Sequence, residues 1–131
     1  MQKIAIFGST QYSDKIFDIK NSLEKAGYVV KVPAFDHHPN LSAYEICYYN
    51  KQILEWCDLV LFLWDQRSMG AVFDFGMVFM SGKPFKVIYL EKKLFKDVML
   101  DYEKVSLQNC DEKEIEAVDK IVSHITDRKE L

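Results

Sequence analysis

The apolar run from Asp58 to Trp64, with the sequence DLVLFLW, constrains the fold of this chain more than any other segment. A strand with one face in solvent alternates apolar and polar residues, whereas a central strand of a parallel sheet is apolar throughout because helices cover both of its faces. The run is much shorter than the ~20 residues that a membrane-spanning helix needs. It therefore predicts a buried central strand between two layers of helices.

Other short β-branched or aromatic runs alternate with segments of helical periodicity. Strands are predicted at Lys3–Phe7, Tyr28–Val32 and Phe85–Leu90. Loop residues follow the first two, and the segment 91–100 fits either a short helix or a loop. Ser42 and Glu45 have the spacing of a capping box, which indicates that a helix begins there. The predicted helices cover about 13–26, 42–56, 69–82 and 115–125, and a fifth, edge strand is expected over 102–107.

This alternation of strands and helices is typical of βαβ units and a parallel sheet. For 131 residues we predict one domain, 1–131, with the α/β class and a three-layer, flavodoxin-like (Rossmann-like) sandwich. Fold statistics favour a five-stranded sheet in the order 2-1-3-4-5. In such a sheet a ligand crevice lies at the carboxyl ends of strands one and three, where the strand order reverses.

Composition and charge exclude several classes of protein. The net charge of −3 and the absence of a long basic run disfavour a nucleic-acid polymer as partner. Cys47, Cys57 and Cys110 lack CxxC spacing, which disfavours a disulfide framework or a zinc site. The start of the chain is not typical of a signal peptide, and no apolar stretch is long enough for a bilayer. We therefore expect a cytoplasmic protein with no membrane partner, no metal and no cofactor.

Two polar loops follow the strands that would border the crevice. After strand one, Gly8, Ser9 and Thr10 can offer N–H groups and hydroxyls to a phosphate, although many ordinary strand-to-helix loops have this composition. After strand three, Asp65 is suited to accept sugar hydroxyls or to form a turn, and Ser68 to cap a helix or hold a phosphate. We predict a small-anion or nucleotide site between these loops.

Asp74 lies inside the apolar third helix, between Phe73 and Phe75. It is one turn past Gly70, and helical side chains lean toward the helix N-terminus, so its carboxylate is expected to point toward the crevice. A surface acid near a positive helix end is the alternative interpretation. The apolar residues on all sides favour a functional carboxylate.

Two other groups of residues leave their interpretation open. His37 and His38 are adjacent in a loop and have no third ligand at metal spacing, which favours solvated turn residues. Aromatic side chains on the second helix could serve core packing, a subunit interface or base stacking. These are Tyr44, Tyr48, Tyr49 and Trp56.

The segment from Asp65 to Pro84 resembles the pattern D-x-x-S-x-G-[T/A]-x-x-E-[L/I]-G-x-A-x-x-x-x-K-P of the nucleoside 2-deoxyribosyltransferase-like proteins. This superfamily includes the 2'-deoxynucleoside 5'-phosphate N-glycosidases. The runs IAIFGSTQYSD and YYNKQILEWCDLVLFL are also similar to the family, so the likeness covers roughly residues 3 to 90.

The resemblance implies an enzyme that cleaves the N-glycosidic bond of a (deoxy)nucleoside or its 5'-monophosphate, by hydrolysis or by base exchange. Asp74 stands at the position of the nucleophilic glutamate, Asn50 at that of an acid on the second helix, and Asp65 near the sugar. The resemblance also implies a homodimer or higher homo-oligomer. The substrate-binding residues would be Gly8, Ser9, Thr10, Tyr12, Ser68 and Gly70.

Three positions depart from the family pattern. Asp74 is one methylene shorter than glutamate, about 1.5 Å. Asn50 is an amide and cannot act as a general acid. Phe7 replaces a tyrosine that many transferases carry at the end of strand one, and Tyr12 is nearby but not equivalent. The changes at the two acidic positions, 74 and 50, favour an alternative function, a nucleotide-binding or sensing module that does not turn its ligand over, whereas retention of a carboxylate at position 74 favours the enzyme.

Overall fold

A computed structural model describes residues 2–33, 40–64, 69–90 and 95–123. It has an α/β fold in which four parallel strands form a sheet of order β2-β1-β3-β4. This order confirms the first four positions of the predicted sheet. The strands are β1 (Lys3–Phe7), β2 (Val29–Lys31), β3 (Leu59–Trp64) and β4 (Phe85–Leu90).

The described ranges also contain five α-helices and one short 3₁₀ turn; three of the helices lie between strands, and two follow β4. The capping box predicted at the start of the second helix is present: the Ser42 hydroxyl accepts the Glu45 N–H at 3.2 Å, and the Glu45 carboxylate accepts the Ser42 N–H at 3.1 Å. No described helix has the length and apolar content that crossing a bilayer requires. The helices are α1 (Ser13–Lys25), α2 (Ala43–Trp56), α3 (Met69–Ser81), α4 (Lys96–Ser106) and α5 (Glu112–Val122), and the 3₁₀ turn is Thr10–Tyr12.

Every residue of β3 is buried, as its uninterrupted apolar sequence predicted. Side chains that alternate along β3 enter two different cores, because successive residues of a strand point to opposite faces. Phe62 packs with residues of α2, α3 and α4, whereas Leu61 packs with residues of α1 and α5. The sheet therefore separates an α2–α3–α4 layer from an α1–α5 layer.

The predicted fifth strand over 102–107 is wrong, because residues 102–106 belong to α4. Side chains of this helix bond the backbone of the edge strand β4. The Glu103 carboxylate accepts the Val87 N–H at 2.8 Å, and the Ser106 hydroxyl accepts the Phe85 N–H at 3.0 Å. Edge strands need such protection, and here a helix provides it instead of a neighbouring strand.

Replacing Glu103 by Ala is expected to lower the free energy of unfolding by about 1–3 kcal/mol, since a partly buried N–H of β4 loses its acceptor. Glu103 also lies 3.9 Å from the Lys86 ammonium, which is 3.2 Å from Asp119. Urea denaturation measures the loss. Glu116→Ala is the matched control, because Glu116 is an exposed acid on α5. Equal stability of the two variants would contradict this role of Glu103.

Candidate functional site

Three polar or charged side chains are buried among the residues whose burial the structure describes: Ser9, Asn50 and Asp74. They are 8%, 4% and 7% exposed, respectively. Burying such groups is unfavourable unless they are hydrogen-bonded. Within the described ranges, no fully buried side-chain nitrogen or oxygen lacks a hydrogen-bond partner. All three residues belong to the set that sequence analysis predicted for the site.

The loop after β1 packs directly on β3. A Cβ atom at Gly8 would stand 3.1 Å from the Leu63 Cβ and 3.3 Å from the Leu63 carbonyl oxygen, so a larger residue would displace the loop. The pairing of β3 with β4 shifts register between Phe62 and Leu63, at the same end of the sheet. Ser9 accepts the Tyr12 N–H on its carbonyl at 2.9 Å and the Gln11 N–H on its hydroxyl at 3.4 Å. These contacts hold the loop at the carboxyl end of β3.

Asp74 lies on the buried stripe of α3, at the spacing of three and four residues that places side chains on one helical face. The other buried members of that stripe are Ala71, Phe75 and Val78. Its burial excludes the alternative interpretation as a surface acid. At 1.5 Å per residue, Asp74 is roughly 7–8 Å along the helix from Met69, the first residue of α3.

Asn50 lies on the corresponding buried stripe of α2, which packs beside α3. The two helices are aligned at their C-terminal ends, because the Lys83 ammonium, just after α3, donates to the carbonyls of Glu55 at 3.0 Å and Cys57 at 2.7 Å at the end of α2. Asn50 is six residues before the end of α2, and Asp74 is seven before the end of α3. Asn50 is therefore roughly 9 Å and Asp74 roughly 10–11 Å from the ends of their helices, so the two residues lie at similar heights on neighbouring helices.

The second predicted loop is only partly described. Asp65 and Ser68 lie outside the described residues, so their predicted roles stay predictions. Gly70 is half-buried in the first turn of α3, and for Thr10 the structure describes the backbone alone.

Tyr12 has neighbours that the sequence analysis did not include. Its ring centroid is 5.0 Å from that of Tyr89, and the Lys15 ammonium lies 4.5 Å from the Tyr89 ring centroid. Tyr89 is the penultimate residue of β4. Its place near the carboxyl end of a predicted strand could have indicated the contact with Tyr12, because parallel strands bring their carboxyl ends to one edge of the sheet. By contrast, Phe7 is fully buried against Phe62, so it belongs to the core.

Other chemistries have little support in the described part of the chain. There, no cluster of three or more His, Cys, Asp or Glu residues could hold a metal ion. His37 and His38 lie outside the described residues. Burial raises the pKa of the Cys57 thiol to about 11, despite the nearby Lys83 ammonium, so Cys57 is not a thiolate nucleophile near neutral pH.

Comparison with solved structures shows a likeness of fold. No protein-family model matches the chain, and no curated protein is similar to it. A solved structure of the CMP N-glycosidase BcmB from Clostridium botulinum is similar to this chain with a TM-score of 0.59 and 17% identity. The likeness covers 75% of this chain and 82% of that protein. At this identity it shows a shared fold.

Proposed function

We propose that this chain cleaves the N-glycosidic bond of a nucleoside 5'-monophosphate or nucleoside, with Asp74 as the nucleophile. The observation that carries the proposal is the buried Asp74 carboxylate on the sheet-facing stripe of α3, at a height along the helix similar to that of Asn50 on α2. A buried carboxylate is tolerated when it is hydrogen-bonded or paired, and a carboxylate held in this position is suited to act as a nucleophile. The fold shared with a CMP N-glycosidase supports the same reaction class.

The reaction would proceed by two displacements at the anomeric carbon. An Asp74 carboxylate oxygen bonds to that carbon as the bond to the base nitrogen breaks, and the electron pair leaves with the base, which takes a proton from water. Water then attacks the sugar–Asp74 ester, which releases the sugar and restores the carboxylate. Two displacements on opposite faces retain the anomeric configuration. We favour hydrolysis, and a second base in place of water would give base exchange.

The remaining predicted residues would bind the substrate around this carboxylate. Asn50 would hold a sugar hydroxyl or a base edge, because an amide both donates and accepts hydrogen bonds. Asp65 would bind the sugar, and the enzyme would act as a homodimer or higher homo-oligomer. The phosphate and the rest of the substrate would contact Gly8, Ser9, Thr10, Tyr12, Ser68 and Gly70.

The proposal is tested by incubating the protein with a panel of ribo- and deoxyribonucleosides and their 5'-monophosphates, CMP and dCMP included. Chromatography then measures free base against the intact substrate. We expect one or a few members of the panel to release base faster than in a protein-free control. Absence of free base from every member would contradict the proposal.

We expect 5'-monophosphates to bind more tightly than the matching nucleosides, because the loop after β1 offers N–H groups and the Ser9 hydroxyl to an anion. Replacing Ser9 by Ala should weaken monophosphate binding roughly tenfold and leave nucleoside binding nearly unchanged, since one hydrogen bond to a charged group contributes about 1.5 kcal/mol. Isothermal calorimetry measures both affinities. Ser22→Ala on α1 is the matched control. Equal affinities for the two ligands would contradict a phosphate-binding role for this loop.

A second candidate function is nucleotide binding or sensing without turnover. The amide at Asn50 favours it, because this position would carry the general acid in an efficient glycosidase. Calorimetric binding of a 5'-monophosphate with no free base after prolonged incubation would establish this alternative over the first.

A further inference from the structure

The outer surface of α3 is apolar and exposed, although its inner stripe already packs on the sheet. Met69, Phe73 and Met80 are 81%, 57% and 87% exposed. On the neighbouring helix α2, Tyr44 and Tyr48 are also exposed, and their rings stack with centroids 6.1 Å apart. Exposure excludes core packing for these two tyrosines. We call these five side chains the α2–α3 face.

The α2–α3 face is large for an exposed apolar surface. At roughly 200 Å² for a large side chain, five side chains with these exposures present on the order of 700 Å². The largest apolar patch of a typical monomer is about 300–600 Å², whereas a stable protein–protein interface buries about 800 Å² on each partner. The face therefore has nearly the area that one side of a stable interface needs.

Next to Met80, this face is bordered by charged side chains that are suited to contact a second copy of the chain. A groove of about 480 Å³ lies between α2 and α3, lined by the apolar side chains of Leu54, Met77 and Met80 together with Lys51 and Glu55. Lys51 and Glu55 are exposed, opposite in charge and one turn apart, with a nitrogen–oxygen distance of 3.9 Å. A two-fold axis can pair Lys51 of one copy with Glu55 of the other, because an isologous interface matches a surface with itself.

Gly76 lies at the centre of the α3 part of this face. It is exposed, and a Cβ added to it would meet nothing within 4 Å. A glycine inside a helix costs about 1 kcal/mol relative to alanine, and packing within the described chain gives no reason for it. A small residue between Phe73 and Met80 allows the backbone of another helix to approach closely.

We propose that the α2–α3 face is a two-fold interface with a second copy of this chain, in which the two α3 helices cross antiparallel near Gly76. In that arrangement Phe73 of one copy packs against Met80 and the groove of the other. This assigns a surface to the homo-oligomer proposed above and depends on no catalytic step. A membrane or a nucleic acid is a weaker fit. The groove beside the face has two lysines and one glutamate, but the Lys83 ammonium already donates to the Glu55 and Cys57 carbonyls, and the chain has a net charge of −3.

Sedimentation velocity across a dilution series, without substrate, tests the proposal. We expect the wild-type chain to sediment as a concentration-dependent dimer. Met80→Glu and Phe73→Glu should each weaken the dimer by roughly 30-fold or more, as truncation of a central interface anchor does. Both side chains are more than half exposed, so the fold of the monomer should be preserved, and far-UV circular dichroism and thermal unfolding check this.

Val105→Glu is the matched control, because Val105 is 62% exposed on α4, outside the α2–α3 face. It should leave dimerisation unchanged. Lys51→Glu and Glu55→Lys should each weaken the dimer, and mixing the two single variants should restore it as a heterodimer. Pairing between two copies of the chain predicts that rescue, whereas the pair within one helix stays broken in both variants. A wild-type chain that stays monomeric at every concentration, or a dimer insensitive to Met80→Glu and Phe73→Glu, would overturn the proposal.

Discussion

Replacing Asp74 by Asn is expected to reduce base release on the order of a thousandfold or more, while 5'-monophosphate binding is retained. Loss of a covalent nucleophile typically has an effect of this size or larger. Asn has nearly the shape of Asp and can keep neutral hydrogen bonds, so the buried stripe of α3 should stay packed. Single-turnover assays give the rate of base release, and calorimetry gives the affinity.

Asp101→Asn is the matched control for this variant, since Asp101 is an exposed acid on α4. It should leave turnover unchanged. Thermal unfolding of both variants separates a chemical defect from a folding defect. Turnover of Asp74→Asn within tenfold of the wild type, in a folded protein, would exclude Asp74 as the nucleophile.

Local signals in the sequence predicted most of the fold. The uninterrupted apolar run at 58–64 gave the buried central strand, and the spacing of Ser42 and Glu45 gave the start of α2, because each depends on neighbours in the chain. The prediction of a strand over 102–107 is wrong. Tyr102, Lys104 and Ser106 alternate there with charged or apolar residues, and this alternation also fits a strand. As a helix, α4 places the Glu103 carboxylate where it accepts the Val87 N–H of β4. This hydrogen bond joins two segments that are separate in the sequence, so local patterns do not reveal it.

The candidate site was predictable to a smaller extent. The apolar flanks of Asp74 indicated a special role, and the structure buries its side chain accordingly. Only the family resemblance identifies Asn50 as a site residue, since one amide in a helix of apolar and polar residues forms no distinctive sequence pattern. The height of Asn50 along α2 relative to that of Asp74 along α3 depends on the hydrogen bonds from Lys83 to the carbonyls of Glu55 and Cys57. These bonds join residues 26 to 28 positions apart in the sequence. Sequence periodicity gives the face of each helix but not the alignment between helices.

Replacing Asn50 by Asp is expected to raise the rate of base release by about a hundredfold, at the lower end of the range for a general acid. Asn50 and Asp74 lie at similar heights on adjacent helices, and both are buried. Burial disfavours the ionised form of a carboxyl group, so the pKa of a carboxyl group introduced at position 50 should be raised. The protonated group could then donate to the leaving base while Asp74 attacks the sugar.

The pH dependence of this variant identifies the mechanism. Because the general acid acts in its protonated form, the gain in rate should be present at low pH and lost as the pH rises above the raised pKa. Asn50→Ala is the control, since it removes the amide without adding an acid, and it should not gain activity. A variant with unchanged turnover and intact fold would show that position 50 does not reach the leaving base. An equal gain in Asn50→Ala would indicate relief of steric hindrance, because alanine has no proton to donate.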